Sequence, residues 1–297
     1  MAQKLNNIRM SRKYLVLFFG TCATAGLAHE VWLEASRFRL QPGDTVHVRA
    51  FVGANFAGEP WTTKAARVHR LMRFGPTPAD TTNLTPKNFT DTDTFRTAFA
   101  FAQPGTHLVL LQSTSSFIEL PAEKFNAYLR EEGLDYALKL RQENDETAKP
   151  GRETYSRCVK TLLQVGDPAL VPLAADSACR HIYGLPLELV PEQNPYRLAA
   201  NKALTVRVLR AGRPAFGAAV QVWQRQPGGL PTTHFTTRAN QSGRILLRLS
   251  GPGPYLLATV DMRPAPARLR ARADWQSVWA SLTFAGPPAT LRLPTKH

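Results

Sequence analysis

The residues best suited to chemistry meet at one junction, Gly26-Leu27-Ala28-His29-Glu30. Gly26 and Ala28 are small residues at the spacing a signal peptidase requires. Upstream lie Lys4, Arg9, Arg12 and Lys13, no acidic residue, and an apolar run from Leu15 to Gly20. Cleavage after Ala28 makes His29 the first residue of an exported chain. Its free α-amine and a ring nitrogen can then close together on one ion. Such nitrogen donors suit copper, nickel, cobalt and zinc. Two nitrogens hold an ion weakly, so partners are expected. His107 is the first candidate. It follows the turn Gln103-Pro104-Gly105 at the start of a predicted strand, where its side chain can point back toward the N-terminal segment. His181 is the second, because Cys179-Arg180-His181 is a Cys-x-His pair that could hold a soft metal ion. Glu30 and Glu34 read as surface charges. The other histidines read as solvated or incidental.

Other site chemistries find no motif. The paired spacing of a structural zinc site is missing, as are His-Glu-x-x-His, the Gly-x-Ser-x-Gly elbow and a glycine-rich phosphate loop. Glu131, Glu132, Glu143 and Glu146 read as a solvated helical face. Of the five tryptophans, Trp223 and Trp279 fall in strand patterns and read as core, whereas Trp275 is the best placed to meet a sugar. An exported chain keeps two cysteines, Cys158 and Cys179. An even number permits one disulfide in an oxidising compartment; two buried thiols, or a thiol near a metal, are the rival readings.

Elements that could position these residues follow from periodicity. Val46, Val48, Ala50 and Val52 alternate after the turn Pro42-Gly43-Asp44, and Phe95, Thr97, Phe99 and Phe101 alternate again before Thr106–Leu111. Pro121 opens a helix in which Phe125 and Leu129 share a face and Gly133 is the stop. Leu134, Ala137, Leu138 and Arg141 mark a second helical piece. Residues 142–152 read as loop, and 155–165 fits helix or strand equally. Pro191 and Pro195 mark a boundary, after which hairpins over 203–223 and 236–249 and a last strand over 279–284 form an immunoglobulin-like unit. The expected chain is mainly β: a signal peptide over 1–28, an antiparallel β-sandwich over 29–193 with a helical insertion near 121–147, and an immunoglobulin-like β-sandwich over 194–297.

The charge is strongly basic, 37 Lys and Arg against 22 Asp and Glu, or 33 against 22 once the signal is removed. The arginines are scattered, apart from the stretch Arg263 to Arg272, and export argues against nucleic acid. A basic exterior that attracts anionic surfaces is the milder reading. The apolar segment ending at Ala28 is too short to cross a bilayer, which takes about 20 residues, so no transmembrane span is expected in the exported chain.

Several phrases together resemble a bacterial exported family known as a domain of unknown function and associated with nickel or cobalt uptake. They are Ala28-His29-Glu30-Val31-Trp32-Leu33-Glu34, the run from Leu120 to Leu134, Tyr155-Ser156-Arg157-Cys158-Val159-Lys160-Thr161-Leu162-Leu163, Gly184 to Pro191 closing in Asn194-Pro195-Tyr196, and Asp274 to Phe284. They run almost the length of the chain. The resemblance implies a periplasmic protein of sandwich-type domains and, loosely, a link to a membrane metal transporter. The family pattern has an acidic residue before a turn glycine where this chain has Ser242-Gly243. The combined expectation is a non-enzymatic metal-binding accessory for nickel, cobalt or copper with His29 as chelator. The alternatives are a β-sandwich adaptor for a protein or glycan, or a copper site for oxidative chemistry.

Overall fold

The computed structural model describes residues 30–77, 79–84, 96–173, 177–226, 228 and 232–288. His29 and the cleavage junction lie outside the described residues. In chain order the strands are β1 (Glu30–Ala35), β2 (Arg39–Leu40), β3 (Thr45–Ala54), β4 (Ala57–Pro60), β5 (Val68–Phe74), β6 (Thr81–Asn83), β7 (Arg96–Ala100), β8 (Gly105–Ser113) and β9 (Ser116–Leu120). Two helices follow, α1 (Ala122–Glu131) and α2 (Asp135–Glu143). Then come β10 (Gly151–Val165), β11 (Leu187–Pro191), β12 (Ala203–Arg210), β13 (Arg213–Pro214), β14 (Ala219–Gln224), β15 (Thr233–Arg238), β16 (Arg244–Arg248), β17 (Pro254–Pro264) and β18 (Trp275–Ala285). The fold is mainly β and sandwich-like, as the alternation implied.

A ten-stranded sheet is the spine. Its order is β15-β14-β17-β18-β10-β8-β5-β6, with β2 and β9 also paired to β10. A four-stranded sheet of β1, β3, β4 and β7 covers one face, and one of β11, β12, β13 and β16 covers the other. β8 shows why both layers are needed. Val109 and Leu111 join Val31, Leu33, Val46 and Val48 in one core. Leu108 and Leu110 join Leu187, Leu189, Val206 and Val208 in the other. A strand buried on both faces loses its alternation, which is why 155–165 reads ambiguously in sequence and proves to be the heart of β10, buried at every position from Cys158 to Val165.

Most pairings are antiparallel. The exception that matters is β10 with β18, parallel from Glu153 opposite Trp275 to Thr161 opposite Thr283. Parallel neighbours need a long crossover, and here the crossover includes β11 to β17. The residues read as a boundary, Pro191 to Tyr196, lie between β11 and β12, and the spine joins strands from both sides of them.

Two devices place the start of β1. Among the described residues it is an edge strand of its own sheet, paired with β3 alone. Its outward carbonyls are satisfied by the spine instead: Ser281 Oγ donates to Val31 O at 2.7 Å and Thr283 Oγ1 to Leu33 O at 2.5 Å. The helical pair packs on the same face of the spine, with Phe125, Tyr128 and Leu129 against Val260, Met262, Trp275 and Trp279. Pro121 precedes α1, and Gly133, at φ +66°, ends its run as expected.

Candidate functional site

Two buried carboxyls and a half-buried one lie around the start of β1. Glu30 is the first residue of β1 and is only 6% exposed. It lines a small cavity of about 10 Å³ with Arg157, Trp279 and Ser281. Arg157 and Trp279 also line a neighbouring cavity of about 20 Å³, together with Tyr128, Glu153 and Tyr155. Tyr128 stacks on Trp279 at 5.8 Å between ring centroids. One helical turn beyond Tyr128, Glu132 accepts a hydrogen bond from Gln221 Nε2 on β14 at 2.8 Å. Glu153, 2% exposed, accepts from Tyr128 OH at 3.4 Å and from the Ser277 hydroxyl.

These carboxyls hold their protons unusually well. Burial pushes Glu30 up to about 7, against a weaker pull from its own backbone. Burial and then the charge of Glu30 push Glu132 to about 8, although Gln221 pulls the other way. Burial lifts Glu153 to about 7, opposed by Ser277, Tyr128 and Arg157. Desolvation disfavours a charge unless a partner repays it. Among the described residues, no ion pair is made to Glu30, Glu132 or Glu153. Arg157 is the neighbouring cation, and its guanidinium lies over the Tyr155 ring at 4.6 Å. Strongly perturbed groups that share a cleft mark a candidate site.

Glu30 is therefore not the surface charge its position in sequence suggests, and neither is Glu132 part of a solvated helical face. Glu34 is nearer to expectation: half-buried, it pairs with Arg225 at 2.8 Å. Helical periodicity placed Glu132 in a polar run. Gln221, 89 residues later, is brought beside it only by the packing of the insertion on the spine.

The other candidates lie apart. His107 is fully buried on β8. Its Nε2 donates to Gln103 O at 2.8 Å, its Nδ1 lies 3.7 Å from Asp80 Oδ2, and its ring meets Phe101 edge-on at 4.9 Å. It stands opposite Leu163 on β10. Glu30 shares its cavity with Val159, four residues back and so about 13 Å along the strand. The structure does not bring His107 to the start of β1. His181 is exposed and meets the Tyr183 ring edge-on at 4.8 Å. Tyr183 packs against the core on the opposite face of the spine from Glu30. Cys158 and Cys179 are both buried in that core as thiols rather than a disulfide. Burial raises the Cys158 thiol to about 11. Trp275, read as a sugar platform, is buried against Phe125 instead. Among the described residues, no three His, Cys, Asp or Glu side chains gather as a metal cage.

Nearby in that core, Lys160 and Glu188 form a buried ion pair of 3.0 Å. Burial lowers the Lys160 pKa, and Glu188 works against that shift. Glu188 also accepts from the backbone N–H of Tyr183 at 3.0 Å and of Leu185 at 3.3 Å. The pair thus fixes the segment that carries His181 and Tyr183.

Residues 26–262 match the family described as a domain of unknown function, DUF4198. The chain belongs to that family. The DUF4198 match takes in Glu30, Glu132 and Glu153, and its first residue lies just before His29. No curated protein matches the chain. Solved structures similar to this DUF4198 chain include trypsin-activated alpha-2-macroglobulin from Escherichia coli, at 10% identity and TM-score 0.20 over 89% of this chain and 16% of that one. The three N-terminal domains of the highly immunogenic outer capsid protein of bacteriophage RB49 are similar at 10% identity and TM-score 0.19, over 86% and 59%. Dimeric latent PorU from Porphyromonas gingivalis is similar at 13% identity and TM-score 0.19, over 90% and 21%. The chain spans less than two thirds of each, and likeness at this level carries no functional argument. Among the described residues no helix is long and apolar enough to cross a membrane.

Proposed function

We propose that this chain is an exported, periplasmic metal-binding accessory that captures Ni²⁺ or Co²⁺ at its N-terminus and passes it to a membrane transporter. His29 supplies the α-amine and an imidazole nitrogen; Glu30 and Glu132 supply the negative charge around them. The observation that carries this reading is the burial of Glu30 at the head of β1 beside Glu132, with no ion pair to either among the described residues. A divalent cation next to two such carboxyls repays the desolvation that burial imposes. Hard carboxylate oxygens and amine or imidazole nitrogens together suit nickel and cobalt, whereas a purely soft site would use thiolates. Cys158 and Cys179 are buried elsewhere.

Proton release accompanies binding. The carboxyls, imidazole and α-amine all titrate near neutrality, the last two at about 6.5 and 7.7–8.0 in unperturbed form. Affinity therefore rises with pH between about 6 and 8. Copper binds most tightly in vitro whatever the biological cargo, by the Irving–Williams order.

The test is calorimetric titration of Ni²⁺ and Co²⁺ into protein that begins at a verified His29, beside protein with one extra residue ahead of it. Micromolar binding in the first and its loss in the second support the N-terminal chelate. Equal binding in both, or none in either, contradicts it.

A further inference from the structure

On the opposite face of the spine, a cleft of about 130 Å³ opens between the β5–β6 connection and residues 177–183. Its lining divides by chemistry. Phe74, Tyr183 and His181 supply three rings that meet at a corner, Phe74 to Tyr183 at 4.2 Å and His181 to Tyr183 at 4.8 Å. Thr77 and Ser177 supply hydroxyls, and the exposed His181 imidazole supplies one more polar edge.

This wall is held in advance of any ligand. Tyr183 OH donates to Ala178 O at 2.8 Å, the Tyr183 N–H is fixed on buried Glu188, and Arg70 donates to Tyr183 O at 3.1 Å. Arg70 also lies over Phe74, 5.8 Å from its centroid. Gly75 turns the opposite wall so tightly that a Cβ there would lie 2.1 Å from the Asp80 carboxylate.

We propose that this cleft binds one pyranose ring of a neutral glycan. Its size suits a single six-membered ring, since an apolar cavity of about 150 Å³ accepts one benzene. Lys160 Nζ lies over one face of Tyr183 at 5.7 Å and Arg70 over one face of Phe74 at 5.8 Å, and the ring surface that lines the cleft offers contact to the polarised C–H face of a sugar. The hydroxyls and imidazole then meet the sugar's own hydroxyls, the pattern of an apolar cleft with a few convergent polar groups. A hydrocarbon would make no use of those polar groups. The site shares no residue with the carboxyl cluster and does not depend on metal.

Saturation-transfer NMR on the full exported chain tests this, with methyl β-D-glucopyranoside and N-acetylglucosamine as probes and p-cresol as the aromatic control. Transfer to the pyranose ring protons at millimolar sugar is expected, with a shift of the His181 Cε1 proton. His181→Ala and Ser177→Ala should each weaken binding roughly three- to tenfold, as loss of one hydrogen bond does. His181 is exposed, so its variant should keep the native circular dichroism and remain a fair test. The proposal is overturned by absence of transfer to either sugar in folded protein. Undiminished transfer in both variants, or binding of p-cresol alone, overturns it equally.

Discussion

Glu153→Gln should flatten the pH dependence of stability. Glu153 is 2% exposed and holds its proton up to about pH 7 in the fold, mainly because burial penalises its charge. In the unfolded chain a glutamate releases that proton near 4.3–4.5. A pKa raised by folding adds stability that is complete below the unfolded value and is lost as pH rises through the folded one. The gap between that unfolded value and about 7 in the fold corresponds to about 3 kcal/mol between pH 4.5 and pH 8. Glutamine keeps the shape and an acceptor oxygen for Tyr128 and Ser277, and it carries no charge to bury. Urea denaturation at pH 5, 6, 7 and 8 reads the effect. The wild type should lose stability across that range, and the variant should lose about 2.5 kcal/mol less. Parallel profiles would refute the reasoning, because they would mean Glu153 ionises as easily in the fold as outside it.

Glu132→Gln should weaken Ni²⁺ binding about tenfold at pH 7.5 and shrink its pH dependence, measured by calorimetry; unchanged affinity would remove this carboxyl from the site. Lys160→Met should cost about 3–5 kcal/mol in urea denaturation because it strands the buried Glu188 charge, and a loss below about 1 kcal/mol would show that the pair is wetter than its geometry implies. Both thiols should resist a thiol-specific chromogenic reagent in native protein and react once guanidinium unfolds it without reductant. No reactive thiol after unfolding would mean that Cys158 and Cys179 pair during export.

Much of the architecture is written locally. Strand β3 announces itself because its buried residues alternate with exposed ones, and α1 because Pro121 and Gly133 bracket an apolar stripe. Strand β10 does not, because two layers bury it and erase the period that local reading depends on. The candidate site was legible only at its first residue. Cleavage chemistry points to His29, but a single Glu after it looks like any surface charge. Its burial depends on Ser281 and Thr283, about 250 positions away, which hold β1 down on the spine. Glu132 and Glu153 join it through Tyr128 and Trp279, residues from a helix and a distant strand that no local spacing links. His107 shows the converse. A strand-start histidine looks available in sequence, yet it is committed to Gln103 and enclosed by Phe101.

The most direct measurement is X-ray absorption at the nickel edge of Ni²⁺-loaded protein that begins at His29. The expected spectrum has a first shell of nitrogen and oxygen only, with the outer scattering of an imidazole that disappears in His29→Ala. A sulfur shell, or imidazole scattering that persists in His29→Ala, would contradict an N-terminal site and move the ion elsewhere in the protein.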